Sequence, residues 1–408
     1  MSSAGFDYST VLASNVPAPA ARWTGFPRYN FVGGHNDPDR IPLDGLAEAA
    51  AAVLRREGAS LATYGLGQGA LGYLGLREFI AAKSATHRGI AATAEDVLIT
   101  IGSMQGIDLV NRLLVERGDT VIVEQLSFAG ALGKLRRLGA NIVGAPLDTQ
   151  GLRIDALEAI LRELKARGVQ PKYIYTIPTI QNPTGSVLPL ERRHALLALA
   201  RAYGVPVFED ECYADLTWTG NAPPALYALD PARVIHIGSF SKSLAPALRL
   251  GFAIAPWEVL GRLVALRGDG PGALEQLVVA EYFAHHFDAH VRQLTQGLSA
   301  KLDTLVEALE REFGTAVEFQ RPEGGIYLWL RLPEGVDVRR LIKPAAEAGI
   351  VFNPGPDWSV DPDAAASWLR LCFALPSHAD IREGVAAFAR VSAEQTGIPA
   401  RRANVAAA

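Results

Sequence analysis

The sequence is poor in three features that mark other classes of protein. Only two cysteines, Cys212 and Cys372, occur in 408 residues, so a disulfide framework or zinc-finger site is excluded. With 39 Lys and Arg against 43 Asp and Glu, it lacks the basic surplus of nucleic-acid-binding proteins. No apolar run reaches the roughly 18 residues of a membrane span, and no signal peptide is visible. We therefore expect a cytoplasmic protein that binds neither nucleic acid nor membrane, and no metal site.

What is present is the composition of a folded protein of more than one domain. Apolar residues make up 49% and charged residues 20%, which excludes a disordered chain. At about 150 residues per domain, the length predicts two domains. The pattern changes along the chain predict an N-terminal arm at 1–40, a large domain at 41–285, a smaller α+β domain at 286–395 and a flexible tail at 396–408.

The large domain is predicted to be an α/β unit, because apolar runs alternate with helical patterns. The runs are apolar throughout, as in a parallel sheet with both faces covered by helices. In such sheets the functional residues lie beyond the carboxyl ends of the strands. The predicted strands are Val97–Ile101, Thr120–Glu124, Asn141–Ala145, Tyr173–Ile177, Val205–Glu209, Val234–Ile237 and Phe252–Ala255.

A lysine in a hydroxyl-rich loop follows one of these strands. The run Ser239-Phe240-Ser241-Lys242 comes just after Val234–Ile237, and Arg249 is seven residues further on. Such a lysine can form a Schiff base with an aldehyde, while a serine and an arginine hold an anion nearby. Taken alone, a lysine in such a run is more often an ordinary solvated side chain, because short motifs match by chance.

Three other strand ends carry polar residues that also have ordinary structural explanations. Asp210 and Tyr213 follow the strand Val205–Glu209, where a carboxylate can pair with a protonated ring nitrogen and a hydroxyl can donate to a ring oxygen. Asn182 begins an Asn-Pro-Thr-Gly turn whose Asn-Pro bond is a candidate for the cis form. Ser103 lies between a strand and a helix, where backbone N–H groups favour a phosphate. Taken one at a time, the three features are explained equally well as an acidic turn, an ordinary loop and a common strand-to-helix turn.

Together, the four strand ends meet the requirements of a single cofactor. It needs a lysine for its aldehyde, a carboxylate for its ring nitrogen, hydroxyl and amide donors for its phenolate oxygen, and an anion site for its phosphate. Pyridoxal 5′-phosphate carries all four groups.

Three motifs also carry a family resemblance, namely Gln181-Asn182-Pro183-Thr184-Gly185, Gly238-Ser239-Phe240-Ser241-Lys242 and Pro246-Ala247-Leu248-Arg249. In these the chain resembles the class I/II aminotransferases of fold type I, nearest the branch of the 2-aminoadipate and kynurenine aminotransferases, from about Phe31 to Arg390. The resemblance implies a mostly parallel sheet in a large pyridoxal-phosphate-binding domain, with a smaller α+β domain. It also implies a homodimer with shared active sites, acting on an amino acid and a 2-oxo acid.

The resemblance assigns a role to each matching residue. For the reaction and the ring, these are Lys242 as Schiff-base lysine and proton shuttle, Asp210 at the ring nitrogen, Asn182 and Tyr213 at the phenolate oxygen, and Phe128 stacked on the ring where tyrosine is usual. For the phosphate, they are Ser103, the Met104 backbone, Ser239, Arg249 and, from the neighbouring subunit, Tyr64. For the substrate, they are Arg370 at the α-carboxylate, Asn182, and Gly33 and Gly34 in a closing loop.

The expected reaction is a ping-pong transamination in which Lys242 moves a proton from the substrate Cα to the cofactor. Elimination, decarboxylation, racemisation or cyclisation on the same fold is the alternative, since the outcome depends on which Cα bond stands perpendicular to the ring. Three departures from the family leave the amino donor open: a longer Gly65–Leu71 segment, a glycine-rich Arg267–Gly272 segment and Phe128. Arg22 and Arg28 are candidates for a second substrate carboxylate, and equally for ordinary surface arginines.

Winged-helix transcription regulators form a second class to consider, because they carry an aminotransferase-like domain behind a DNA-binding domain. About 30 residues precede the resemblance here, fewer than the roughly 40 that a stable domain needs. The basic surplus of a DNA-binding protein is absent as well. We therefore expect an enzyme rather than a regulator.

Overall fold

A seven-stranded sheet forms the centre of the computed structural model, which describes residues 6–13, 16, 18–20, 22–218 and 222–399. Residues 400–408 of the predicted tail lie outside these ranges. The fold is α/β with a mostly parallel sheet, as predicted. In spatial order the strands are Val97–Ile101, Leu250–Ile254, Val234–Ser239, Val207–Asp210, Ile174–Thr176, Thr120–Glu124 and Asn141–Ala145.

One strand of this sheet runs against the others. Leu250–Ile254 is antiparallel to both of its neighbours. It is joined to Val234–Ser239 by residues 240–249, fewer than the dozen or more that a parallel crossover needs. The short connection therefore forces the reversal, and it carries both Lys242 and Arg249.

Helices cover both faces of the sheet, which explains why its strands are apolar throughout. Leu98 and Val121 belong to one buried cluster, while their chain neighbours Ile99 and Ile122 belong to another on the opposite face. The α-helices are Leu43–Glu57, Leu74–Arg88, Gly102–Leu114, Ala129–Leu138, Ile154–Ala166, Leu190–Tyr203, Leu226–Leu229, Trp257–Arg267, Ala273–Phe313, Arg339–Glu347 and His378–Thr396. None of the helices described is both long enough and apolar enough to cross a bilayer.

A smaller antiparallel sheet carries the C-terminal part of the site. Its strands, in spatial order, are Glu318–Phe319, Tyr327–Arg331, Trp368–Cys372 and Asn353–Pro354. Two further pairings form separate two-stranded sheets: Tyr29–Asn30 runs parallel to Ile350–Val351, and Leu147–Asp148 forms a hairpin with Gly151–Leu152.

The helix Ala273–Phe313 connects two hydrophobic cores. Its residues up to Phe287 pack in the core of the large sheet, whereas those from Leu294 onward pack in a second core with the small sheet. Tyr29 and Phe31 also belong to that second core. The predicted boundary between residues 285 and 286 falls within this helix, and the division into domains stays a prediction.

The last helix is longer than the sequence pattern indicates. The prediction covers Ile381–Val391, whereas the helix runs from His378 to Thr396. Ser377 and Asp380 form a reciprocal capping box at its start. Gly397, in the left-handed conformation, ends it.

Candidate active site

A cavity of about 300 Å³ opens at the carboxyl ends of the large sheet's strands. Every predicted site residue except Tyr64, Arg22 and Arg28 lines it. These are Gly33, Gly34, Ser103, Met104, Phe128, Asn182, Asp210, Tyr213, Ser239, Lys242, Arg249 and Arg370. The structure thus brings residues from both sheets to one place.

The Lys242 amine lies inside the cavity and makes one hydrogen bond there. Its Nζ donates to the Gly34 carbonyl over 2.8 Å. A Cβ on Gly34 would collide with this amine, so only glycine allows the approach. Burial lowers the pKa of Lys242, and the Arg370 and Arg249 charges add to the effect. A lowered pKa favours the neutral amine, which is the nucleophilic form.

Asp210 is a buried carboxylate whose hydrogen-bond donors are both uncharged. The Tyr175 hydroxyl donates to Oδ2 over 2.7 Å, and the Cys212 backbone N–H donates to Oδ1 over 3.2 Å. Burial raises the pKa of Asp210, while these bonds act in the opposite direction. A buried carboxylate without a cationic partner is costly. The arrangement therefore fits a ligand that brings its own positive charge.

On the other side of the cavity is a site suited to an anion. The helix Gly102–Leu114 begins without a side-chain cap, so its first N–H groups, at Ser103 and Met104, are available to a ligand. Among the described residues, the Arg249 guanidinium donates only to the carbonyls of Pro246 (3.2 Å) and Ile101 (3.4 Å), so no carboxylate there compensates its charge. Uncompensated positive charge and free N–H groups are what a phosphate requires.

Arg249 also has an unusual backbone conformation. Its φ is +52°, in the left-handed region that non-glycine residues rarely adopt. Such strain recurs at ligand sites, where the surrounding structure holds it in place.

Arg370 is the second buried charge of the cavity. It is 4% exposed, and its two terminal nitrogens donate to the amide oxygens of Asn182 (2.8 Å) and Asn353 (2.9 Å). The Trp358 ring lies 3.8 Å below the guanidinium carbon, and Nε has no partner. All its contacts are with neutral groups, so the guanidinium is suited to a carboxylate from outside the chain.

A family model for aminotransferases of class I and II matches residues 34–388. The chain belongs to this family. It is 33% identical to the 2-aminoadipate transaminase of Thermus thermophilus over 87% of this chain and 88% of that protein. The crystal structure of the alpha-aminoadipate aminotransferase LysN of Thermus thermophilus, complexed with N-(5′-phosphopyridoxyl)-L-leucine, has a TM-score of 0.83 and 32% identity, covering 90% of this chain and 93% of that one.

A transcription regulator is also similar to this aminotransferase. TauR of Rhodobacter capsulatus is 31% identical over 77% of this chain, which covers 64% of the regulator's length. The resemblance to the 2-aminoadipate branch and the expectation of an enzyme are both confirmed: the protein is a pyridoxal-phosphate-dependent aminotransferase.

The residues present fit pyridoxal phosphate group by group. Asp210 lines the cavity and bonds no cationic side chain in the part of the chain that the structure describes, as suits a partner for a protonated ring nitrogen. Asn182 Nδ2 lies 3.5 Å from the Tyr213 hydroxyl, so an amide and a phenol point to the same region. Phe128 lines the cavity and supplies a ring for stacking, while the uncapped helix and Arg249 are placed for the phosphate.

Three further predicted residues lie away from this cavity. The Tyr64 side chain is fully exposed and lines a separate surface hollow together with Arg267 and Gly270. Arg28 forms a 3.0 Å ion pair with Glu383 at the surface, and Arg22 is exposed. Within one chain, neither arginine belongs to the cavity.

The structure adds residues that the sequence pattern does not single out. Asn353 and Trp358 hold Arg370, and Tyr175 binds Asp210. Asn353 reaches Arg370 because the two are paired across the small sheet, a long-range register that no local motif carries. Tyr175 could have been noticed as a hydroxyl within a predicted core strand, since buried tyrosines usually bond a partner.

Glu124 is another buried carboxylate next to the site. Burial raises its pKa to about 7. It accepts hydrogen bonds from Thr176 (2.6 Å), the Ile177 N–H (3.2 Å) and Gln181 (3.0 Å). These bonds tie two strand ends to the residue that precedes Asn182, and so they fix the turn that carries it.

The phosphate site predicts the effect of one small substitution. A Cβ on Gly251 would lie 2.7 Å from the Gly102 carbonyl carbon and the Ser103 nitrogen, backbone atoms that cannot rotate away. Gly251→Ala should shift the helix start and weaken pyridoxal phosphate binding about tenfold, because overpacking costs about 1–3 kcal/mol. Gly133→Ala, whose Cβ meets nothing within 4 Å, is the control. Absorbance titration of the apo-proteins measures both; unchanged affinity in Gly251→Ala would remove the helix start from the phosphate site.

Proposed function

We propose that this aminotransferase exchanges an amino group between an L-amino acid and a 2-oxo acid through the roles predicted for Lys242, Asp210 and Arg370. The observation that carries the proposal is the charge arrangement of the cavity. An amine, a carboxylate and two guanidinium groups line it, and the two buried ions, Asp210 and Arg370, bond only neutral groups among the described residues. The missing countercharges are a pyridinium and a substrate carboxylate.

Each residue then has a distinct task. When bound, pyridoxal phosphate withdraws electrons from the bonds at the substrate Cα. Lys242 holds the cofactor aldehyde, gives it up to the amino donor, and as a free amine takes the Cα proton and returns it one position away. Arg370 grips the α-carboxylate with its planar fork. Asp210 keeps the ring nitrogen protonated, which sustains the withdrawal of electrons.

Asn182 connects these tasks. Its Oδ1 accepts from Arg370 at 2.8 Å, while its Nδ2 is directed toward the Tyr213 hydroxyl. One amide therefore joins the carboxylate-binding arginine to the donors for the cofactor's phenolate oxygen. Orienting the substrate and the cofactor through a single side chain favours one reacting geometry at Cα.

A half-reaction tests this function. Adding a donor such as 2-aminoadipate or leucine to holoenzyme without a 2-oxo acid should shift the cofactor spectrum to the amine form, with release of one 2-oxo acid per site. Lys242→Ala should lose turnover by several orders of magnitude, because no other group moves the proton. Lys343→Ala, which removes an exposed lysine, should behave as wild type. Release of carbon dioxide or ammonia, with the cofactor left in its aldehyde form, would support decarboxylation or elimination instead.

We further propose a homodimer in which Tyr64 completes the partner's phosphate site. In this chain the Tyr64 side chain is fully exposed at a surface hollow, away from the cavity that Lys242 lines. Leu43 and Leu61, which precede Tyr64 in the sequence, also have exposed apolar side chains. Burial against a second copy of the chain would remove them from water. The glycine-rich segments around Gly67 and Gly270 would lie at this two-fold interface.

A hybrid dimer tests the shared site. Tyr64→Asp places a negative charge against the phosphate, and Lys242→Ala removes the amine, so each homodimer should be inactive. Refolding the two together gives about half hybrids at random pairing, each with one intact site, and activity should recover to roughly a quarter of wild type. No recovery, with hybrids confirmed by native mass spectrometry, would show that Tyr64 serves its own chain.

We also propose a cytoplasmic location. Cys212 and Cys372 are both free, and a reducing compartment keeps such thiols reduced.

A further inference from the structure

The Tyr175 hydroxyl is aimed at the Asp210 carboxylate by the pairing of two strands. Tyr175 is opposite Phe208 in the neighbouring parallel strand. Asp210 lies two residues beyond Phe208 and therefore points to the same face of the sheet. The hydroxyl donates to Asp210 Oδ2 over 2.7 Å, and Tyr175 is 1% exposed.

This hydroxyl acts only as a donor to Asp210. Burial and the Asp210 charge raise the pKa of Tyr175 well above its ordinary value, so the phenol keeps its proton. A phenol that donates to a carboxylate stabilises the charged form of that carboxylate. Burial of Asp210 works the other way and favours its neutral form.

The other ionisable groups around Asp210 do not replace this donor. The Cys212 side chain also lowers the pKa of Asp210, and the Cys212 backbone N–H donates to Oδ1. The charge of Glu211 adds to the burial that raises the pKa of Asp210. The charge of Asp210 adds in the same way to the burial that raises the pKa of Glu124. Burial raises the pKa of Tyr213 and Tyr327, and the charge of Asp210 adds to the effect. Tyr175 is the hydroxyl that donates to Oδ2.

We propose that Tyr175 is a positioning residue that keeps the shared proton on the cofactor's ring nitrogen rather than on Asp210. The proposal rests on the role proposed above for Asp210. One proton lies between a ring nitrogen and a carboxylate, and the hydrogen bond from Tyr175 makes the carboxylate the weaker base. Without the hydroxyl, the proton moves to Asp210, and the ring becomes a neutral and weaker electron acceptor.

The substitution Tyr175→Phe removes the hydroxyl and keeps the ring. Its matched control is Tyr173→Phe, one residue before the same strand. Tyr173 is 2% exposed, packs edge-on against the same Phe208 ring, and donates its hydroxyl to Asn111 instead of Asp210. Both variants lose one buried hydroxyl, but only one of them loses the bond to Asp210.

The test is the nitrogen NMR shift of holoenzyme loaded with pyridoxal phosphate labelled with ¹⁵N in the ring, a readout of protonation that needs no turnover. Wild type and Tyr173→Phe should show a protonated ring nitrogen, and Tyr175→Phe a shift toward the unprotonated position. In Tyr175→Phe, kcat should fall roughly tenfold or more, as for one lost hydrogen bond to a charged group. KM for the amino donor should change less than about twofold, since Arg370 is untouched. An unchanged nitrogen shift in loaded Tyr175→Phe would overturn the proposal.

Asp210→Asn separates this inference from the function on which it rests. If Asp210→Asn deprotonates the ring nitrogen while Tyr175→Phe does not, the role of Tyr175 is wrong and that of Asp210 stands. If Asp210→Asn leaves both the nitrogen shift and turnover unchanged, the role of Asp210 itself is wrong. Thermal unfolding of the apo-proteins confirms that each variant is folded before it is loaded.

Discussion

Two charges buried without countercharges are the constraint on which this structure depends. Asp210 and Arg370 are each about 96–97% removed from solvent, and within the described ranges each bonds only neutral donors or acceptors. Removing an ion from water costs several kcal/mol unless a partner compensates it. A ligand with a pyridinium and a carboxylate would supply both partners. The free energy that burial of the two ions costs in the free chain would then be recovered when the ligand binds, and it would favour the orientation that pairs both charges.

The two charges come from different parts of the fold, and their spacing depends on how those parts meet. Asp210 ends a strand of the large sheet, whereas Arg370 is central in the small one. The 2.8 Å bond between Arg370 and Asn182 spans the gap. Hydrogen bonds of Gln181, one of them to the buried Glu124, fix the loop that carries Asn182. On the roles proposed for these residues, a displacement between the sheets would disturb the cofactor and the substrate carboxylate together.

Local chemistry explains what could be predicted from the sequence. Five-residue strands such as Thr120–Glu124 have the predicted bounds, because runs of apolar β-branched residues flanked by polar ones are unambiguous. Lys242, Asp210 and Asn182 were found from their positions after strands, a rule that needs only the order of elements. The resemblance to a family, rather than any pattern, predicts Arg370 and Tyr64, and the role of Tyr64 remains a prediction.

What could not be predicted depends on contacts distant in the chain. The strand Leu250–Ile254 has the same apolar pattern as the parallel strands of the sheet. Only the short connection before it indicates that its direction is reversed. The contacts of Asn353 and Trp358 with Arg370 arise from strand pairing and loop packing that no spacing encodes. Tyr175 has the burial of a core residue, and its bond to Asp210 follows from the register of two strands.

The central claim is that Lys242 holds the cofactor in this cavity. Borohydride reduction of the holoenzyme fixes the pyridoxyl group to the amine that carries it, and peptide mass mapping identifies that amine. The account predicts one label per chain, on the peptide containing Ser241-Lys242-Ser243. A stoichiometric label on any other lysine, with Lys242 unmodified, would contradict it.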